Sequence, residues 1–139
     1  MSEKNALGED LGRLLLRGTV AGLMLFHGSA KLMHGVSGIS AMLVRRGLPA
    51  SLSVGVFVGE VIAPVAIVVG IFTRPAALVL AFNMLVATWL VHAGDVLRLS
   101  TTGGWRVELQ MLYLGAALSI ALMGPGRFAL SRGQGAWWR

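Results

Sequence analysis

Three long stretches of this chain carry almost no charge, and they fix the solvent in which it can fold. Residues 47–73 form a run of 27 broken by one charge, Glu60; residues 75–94 form a run of 20 with none, though it holds Asn83 and His92; residues 109–126 form a run of 18 with none. A bilayer core is about 30 Å thick and a helix rises about 1.5 Å per residue, so roughly 20 mostly apolar residues make a span. A fourth run, 11–33, has the same apolar centre but contains Arg13, Arg17, His27 and Lys31. Composition agrees: 13% of the residues are charged, half of the roughly 25% typical of a water-soluble domain. The 55% hydrophobic content excludes a disordered chain, which is poor in apolar residues.

The expected fold is therefore an all-α membrane protein, a single domain over residues 1–139. It is read as an antiparallel bundle of four transmembrane helices at 11–33, 51–72, 75–93 and 106–124, followed by a tail at 127–139. A short amphipathic helix at 37–46 is expected to lie in the interface after the first span. There Ile39, Met42, Leu43 and Arg46 keep helical spacing, Ser37 is a candidate N-cap, and Gly47 with Pro49 stops the helix. Arg45 and Arg46 are expected to face head groups. Residues 18–26 resemble the apolar part of a signal peptide, but Lys31 spoils a small-residue cleavage site, so the segment is read as a retained span.

Loop charge sets direction. Lys4, Arg13, Arg74, Arg127, Arg132 and Arg139 fall on one side, against Arg45, Arg46 and Arg98 on the other. Lys and Arg favour the cytoplasmic side, which puts both termini there. Trp137 and Trp138 suit an interfacial belt, and Trp105 the opposite surface. The net charge of +6 is scattered at the ends of apolar runs and forms no stripe, so nucleic acid is not an expected partner and the lipid bilayer is. The chain has no cysteine, which excludes disulfides, thiol chemistry and Cys-ligated iron–sulfur centres. Gly18 and Gly22 on the first span, and Gly55, Gly59 and Ala63 on the second, mark close helix approaches within the bundle or between protomers.

Ionisable groups in hydrocarbon cost several kcal/mol and normally face the interior and find partners. Counting residues, His27 lies roughly 9 Å and Glu60 roughly 15 Å below the outer boundary. Lys31 is one turn from His27 on the same face, His92 closes the third span, and Glu108 opens the fourth at that end. Five ionisable side chains, His27, Lys31, Glu60, His92 and Glu108, are thus expected in the outer half, where Lys31 can pair with Glu60 or Glu108. Arg17 and Asn83 fall in the other half, and Tyr113 nearer the middle. The bland alternatives are boundary snorkelling for Lys31, His92, Arg106 and Glu108, and a structural ion pair for Glu60.

Arg17, His27-Gly28 and Lys31, then Gly47-Leu48-Pro49, Gly59-Glu60, Gly70-Ile71-Phe72-Thr73-Arg74 and Gly124-Pro125-Gly126-Arg127 follow one another in this order. In that pattern, from Leu14 to Leu130, the chain resembles the DoxX family of small four-helix membrane proteins, named after a subunit of a thiosulfate:quinone oxidoreductase. The resemblance implies a quinone- or quinol-linked subunit of an oxidoreductase system in a bacterial cytoplasmic (inner) membrane, with oxidoreductase subunits as partners. The motif positions it carries over are Arg17, His27, Lys31 and Glu60.

Three functions stay open at this point. One is a quinone site with His27, Lys31 and Glu60 as donor and proton-handling groups, and with His92, Glu108 and Arg17 also holding the cofactor. The second is a non-catalytic scaffold or assembly factor whose polar cluster locks the helices. The third is a small-molecule or proton carrier, which needs a homo-oligomer. No metal site is expected, and haem is disfavoured because His27 and His92 differ by about 7 Å in estimated depth.

Overall fold

The computed structural model describes residues 3–131, with side chains from Ala6 onward. The side chain of Lys4, and Arg132, Trp137, Trp138 and Arg139, used above for orientation and the interfacial belt, lie outside the described residues.

Apolar runs become helices throughout. Helix α1 spans Glu3–His34, starting before the apolar run because Leu7, Leu11, Leu14 and Leu15 continue the helical pattern. Its buried face is Arg17, Val20, Ala21, Met24 and Gly28, at three- and four-residue spacing. Gly35, at φ +80°, breaks the chain before α2, Ser37–Arg45. Gly47, at φ +74°, follows it. The cap of α2 is Val36 without a side-chain hydrogen bond, so Ser37 does not serve as N-cap. Arg46, exposed overall, also reaches the helix Thr73–His92. Its Nη2 donates to the Leu90 carbonyl at 3.1 Å, and its guanidinium lies 4.3 Å from the centre of the Trp89 ring.

Next comes one continuous helix of changing pitch: a 3₁₀ turn Ala50–Val54, α3 Gly55–Phe57, a π turn Val58–Ile62 and α4 Ala63–Val69. Gly70, at φ +80°, ends it and a tight turn leads into α5, Thr73–His92. A short 3₁₀ turn Ala93–Asp95 and an ordered loop precede α6, Glu108–Met123. In that loop Leu99 and Trp105 form an isolated antiparallel bridge, and Trp105 Nε1 donates to the Val96 carbonyl at 2.7 Å. Among the described residues there is no β-strand beyond that bridge.

Helix α1 packs on α4 and α6, α4 on α5, and α5 on α6, closing a ring of four rods. Small residues bring the rods together: Ala77 and Ala81 of α5 and Ala117 and Ala121 of α6 are buried with Leu80, Ile67 and Ile120. Outward faces are apolar instead of charged, with Leu15, Phe26, Phe82, Leu112 and Leu122 each at least two-thirds exposed. Two helices, Ala50–Val69 and Thr73–Val91, are long and apolar enough to cross a membrane, with mean hydropathy 2.3 and 1.6. Only 33% and 39% of those windows are buried inside the protein, which is the wrong way round for core helices of a water-soluble domain. Helix α6 is a shorter apolar helix of 16 residues. Gly18, Gly22 and Gly55 face open space, so those stripes are not contacts within the ring; Gly59 is.

One end of the ring is tied by Arg17, whose side chain is 1% exposed. Its guanidinium donates to the carbonyls of Pro125, Val68 (3.1 Å) and Phe128 (3.1 Å). Val68 lies in the last turn of α4, where carbonyls lack helical partners and the helix dipole favours a cation. Arg17 thus joins α1, α4 and the segment after α6. Replacing it by Met should cost about 1–3 kcal/mol, the range for leaving a buried hydrogen-bonding group unmet, read as thermal unfolding of the detergent-solubilised protein. A loss within the roughly 0.5 kcal/mol of an ordinary surface change would mean that this clamp does not hold the rods.

Candidate functional site

Pro64 shapes the site. A proline inside a helix has no N–H to give to the carbonyl four residues back, and its ring collides with that carbonyl. Four back from Pro64 is Glu60. The helix resolves the conflict by widening into the π turn, in which the Ala63 N–H bonds to the Val58 carbonyl, the usual device for absorbing a local fault in the ladder. The Glu60 carbonyl then faces Gly28 of α1. A methyl on Gly28 would overlap that carbonyl oxygen and the Val61 side chain, so glycine lets the backbones touch there. On the other flank Gly59 lies against the Asn83 side chain of α5 in the same way.

So placed, the Glu60 side chain is 7% exposed and forms an ion pair and hydrogen bond with Lys31 Nζ. Of the two carboxylates within expected reach of Lys31, the structure pairs it with Glu60. Beside the pair lies a cavity of about 230 Å³. Helix α1 gives it Met24, His27 and Lys31, the π turn gives Glu60, α5 gives Met84, Ala87, Val91 and His92, and α6 gives Leu109, Gln110 and Tyr113. The His27 and Tyr113 rings meet edge to face, with centroids 6.3 Å apart at 90°. Gln110 Oε1 is buried without a hydrogen-bond partner. Such an orphaned acceptor in a cavity wall costs about 1–3 kcal/mol until something donates to it. At the rim His92 Nδ1 is 3.6 Å from Asp95 Oδ2, and Arg106 Nη1 donates to Asp95 Oδ1 at 2.8 Å.

The cavity thus unites four of the ionisable residues named from sequence, His27, Lys31, Glu60 and His92. It does not take in the other two. Glu108 is exposed at the start of α6, its carboxylate folded over Gly104, and Arg17 is at the opposite end of the ring, engaged by three carbonyls. Gln110 and the two methionines went unnoticed in the sequence. The available signal was that Gln110 precedes Tyr113 by three, one face of α6. Among the described residues no three His, Asp or Glu side chains come within reach of one metal ion.

Comparison with known proteins bears on the same residues. The DoxX family profile matches residues 12–93, from α1 through α5. An uncharacterized protein of Haemophilus influenzae is 30% identical over 118 residues, covering 83% of this chain and 84% of the relative. No solved structure matches.

Two outcomes test this geometry. Gly28→Ala should destabilise by about 1–3 kcal/mol through overpacking against the π turn, whereas Gly22→Ala, with open space at its Cβ, should leave unfolding within about 1 kcal/mol of wild type. Equal effects would show that the Gly28 contact is not tight. The second concerns Asp95, whose carboxyl the hydrogen bond from Arg106 holds below the ordinary carboxylate range. A carboxyl lowered by folding stabilises the folded state above its unfolded pKa of about 3.9 and loses that effect as pH falls through the lowered value. Amide exchange in residues 96–107 should therefore stay protected at mildly acid pH and loosen only below the usual Asp range. Asp95→Asn should abolish that acid step; a step of the same size in the variant would assign it elsewhere.

Proposed function

The chain belongs to the DoxX family of small membrane proteins, and from that premise we propose that it is a quinone- or quinol-handling subunit of a membrane oxidoreductase system. In this reading all four rods span the bilayer of a bacterial cytoplasmic membrane. The end holding Arg13, Arg74 and Arg127 faces the cytoplasm, by the positive-inside rule.

The observation that carries the reading is the cavity lining: a Lys31–Glu60 pair, two histidines, a tyrosine and Gln110, whose amide oxygen is buried without a partner, border one space. A quinone supplies two-electron, two-proton chemistry when bound. Its ring asks for donors at two carbonyl oxygens and an apolar slot, and a quinol asks for acceptors. Lys31 and His27 are the donors, Gln110 Oε1 is an acceptor for a quinol hydroxyl, and Met24 and Met84 supply polarizable contact for a ring. Glu60 hands protons on, relayed by Lys31. At about 230 Å³ the cavity is smaller than the roughly 300–1,000 Å³ of drug-sized sites, which suits a head ring with its tail lying out in lipid. In this reading electrons are exchanged with a partner oxidoreductase subunit.

A scaffold role is the second reading, favoured by the direct contact of Lys31 with Glu60, which satisfies both charges without a ligand. Short-chain ubiquinone analogues separate the two. The purified wild type should gain thermal stability on titration with decylubiquinone, and Lys31→Gln should weaken that response about tenfold or more, as loss of one charged hydrogen bond does, while remaining folded. The exchange Lys31→Glu with Glu60→Lys should restore folding but not binding. A wild type indifferent to the analogue, with the exchanged pair as stable as wild type, would leave the scaffold.

A further inference from the structure

A second and larger cavity, about 490 Å³, opens at the opposite end of the ring, and its chemistry is different. It lies between the first turns of α1, the start of α5 and the segment that follows α6. Three guanidiniums line it, Arg13, Arg74 and Arg127, against one carboxylate, Asp10. That carboxylate is already engaged. It accepts from Arg13 Nη1 at 3.5 Å and from the Arg127 backbone N–H at 3.1 Å. Arg13 also meets Glu9 at 3.7 Å.

Arg74 is different. Its guanidinium lies over Gly124, where φ is +73° and a Cβ would come 3.2 Å from both Nε and Nη2, so the glycine leaves room for it. Its Nε is buried and has no hydrogen-bond partner. In the same wall the Ser131 side chain is 4% exposed and its Oγ is likewise buried without a partner. The Ser131 main chain is held in place, its N–H bonded to the Gly70 carbonyl at 3.2 Å. Two buried groups able to donate therefore share one positively charged hollow and lack an acceptor. Leaving them unmet costs free energy, and an anionic oxygen relieves it with charge-assisted hydrogen bonds.

We propose that this cavity binds a phosphate group, held by the Arg74 guanidinium and the Ser131 hydroxyl with Arg13 as the second cation. A planar guanidinium matches two phosphate oxygens at once, which a lysine does not. The volume falls within the roughly 300–1,000 Å³ of small-molecule sites. The hollow sits where the apolar girdle gives way to charge, so the phosphate can be that of an anionic lipid head group or of a soluble molecule. The site shares no residue with the Lys31–Glu60 cavity and does not depend on the quinone reading.

The test uses the full chain. One arm titrates the detergent-solubilised protein with inorganic phosphate. The other reconstitutes it in phosphatidylcholine vesicles with and without phosphatidylglycerol. Unfolding temperature is read in both. Wild type should be stabilised in at least one arm: by phosphatidylglycerol alone if the natural occupant is a head group, by inorganic phosphate alone if it is soluble. Arg74→Gln should raise the half-saturating concentration about ten- to a hundredfold, and Arg74→Lys should recover part of it. Arg98→Gln, outside the cavity, should change nothing. Should Arg74→Gln fail to fold, Ser131→Ala, which removes only an unpartnered hydroxyl, should still weaken the response severalfold. A wild type unmoved by both probes, or a response that survives both cavity substitutions, overturns the proposal.

Discussion

A carboxylate cannot be left alone among apolar side chains, and the middle of this protein is arranged around that constraint. Glu60 is almost fully covered, so Lys31 must reach it from the neighbouring rod. Uncompensated burial would cost several kcal/mol. Meeting that need fixes the spacing of α1 and the π turn. The two backbones touch where Gly28 faces the Glu60 carbonyl, and the contact exists because Pro64 has displaced that carbonyl from the regular ladder. One proline, one glycine and one ion pair therefore form a single mechanical unit. The cavity lies beside this unit.

Polar groups of the ring differ in what they meet. Arg17 spends its guanidinium on three backbone carbonyls, and Arg46 divides its own between the Leu90 carbonyl and the Trp89 face. Both complete helix ends that would otherwise carry unmet carbonyls. Gln110 and Arg74 have buried atoms that nothing in the described protein meets, and each lines a cavity. A buried polar atom without a partner is uncommon in folded proteins because it is costly. Among the described residues Gln110 Oε1, Arg74 Nε and Ser131 Oγ are such atoms in residues that line a cavity, while Arg17 Nε, Thr73 Oγ1 and Asn83 Nδ2 are such atoms in residues that line neither.

Much of the helical framework was legible because its signal is local. The apolar runs at 47–73 and 75–94 become the helix Ala50–Val69 and α5, and the helical spacing after Gly35 becomes α2. The relation of His27, Lys31, Glu60 and His92 was legible from depth alone, since groups at similar heights on different rods can meet. Orientation about the helix axis was not legible. Glu108 has a suitable height but faces Gly104 and solvent, and Gly18 and Gly22 have suitable spacing but face outward. Arg17 was placed at the right end without its partners, because carbonyls of a distant helix terminus leave no mark in side-chain sequence. The π turn was hidden for a related reason. Pro64 signals a fault in the helix, but a kink, a break and a π turn all answer it, and the choice rests on Gly28 and Gly59 being there to receive the widened backbone.

The same unit also narrows what the central cavity can do. Lys31 and Glu60 already satisfy one another, so an occupant gains nothing from their full charges unless it replaces part of that contact. A neutral ring with carbonyl or hydroxyl oxygens can share the Lys31 donors without separating the pair, and it can meet Gln110 Oε1 in its hydroxyl form. A charged ligand would have to split the pair and bear the cost of an exposed carboxylate in an apolar wall. Under the proposed readings the wall therefore suits a weakly polar occupant, and the hollow around Arg74, lined by three guanidiniums and one carboxylate, suits an anion. The two ends of one small ring thus differ in character, and the Arg17 clamp between α1 and α4 joins rods that frame both.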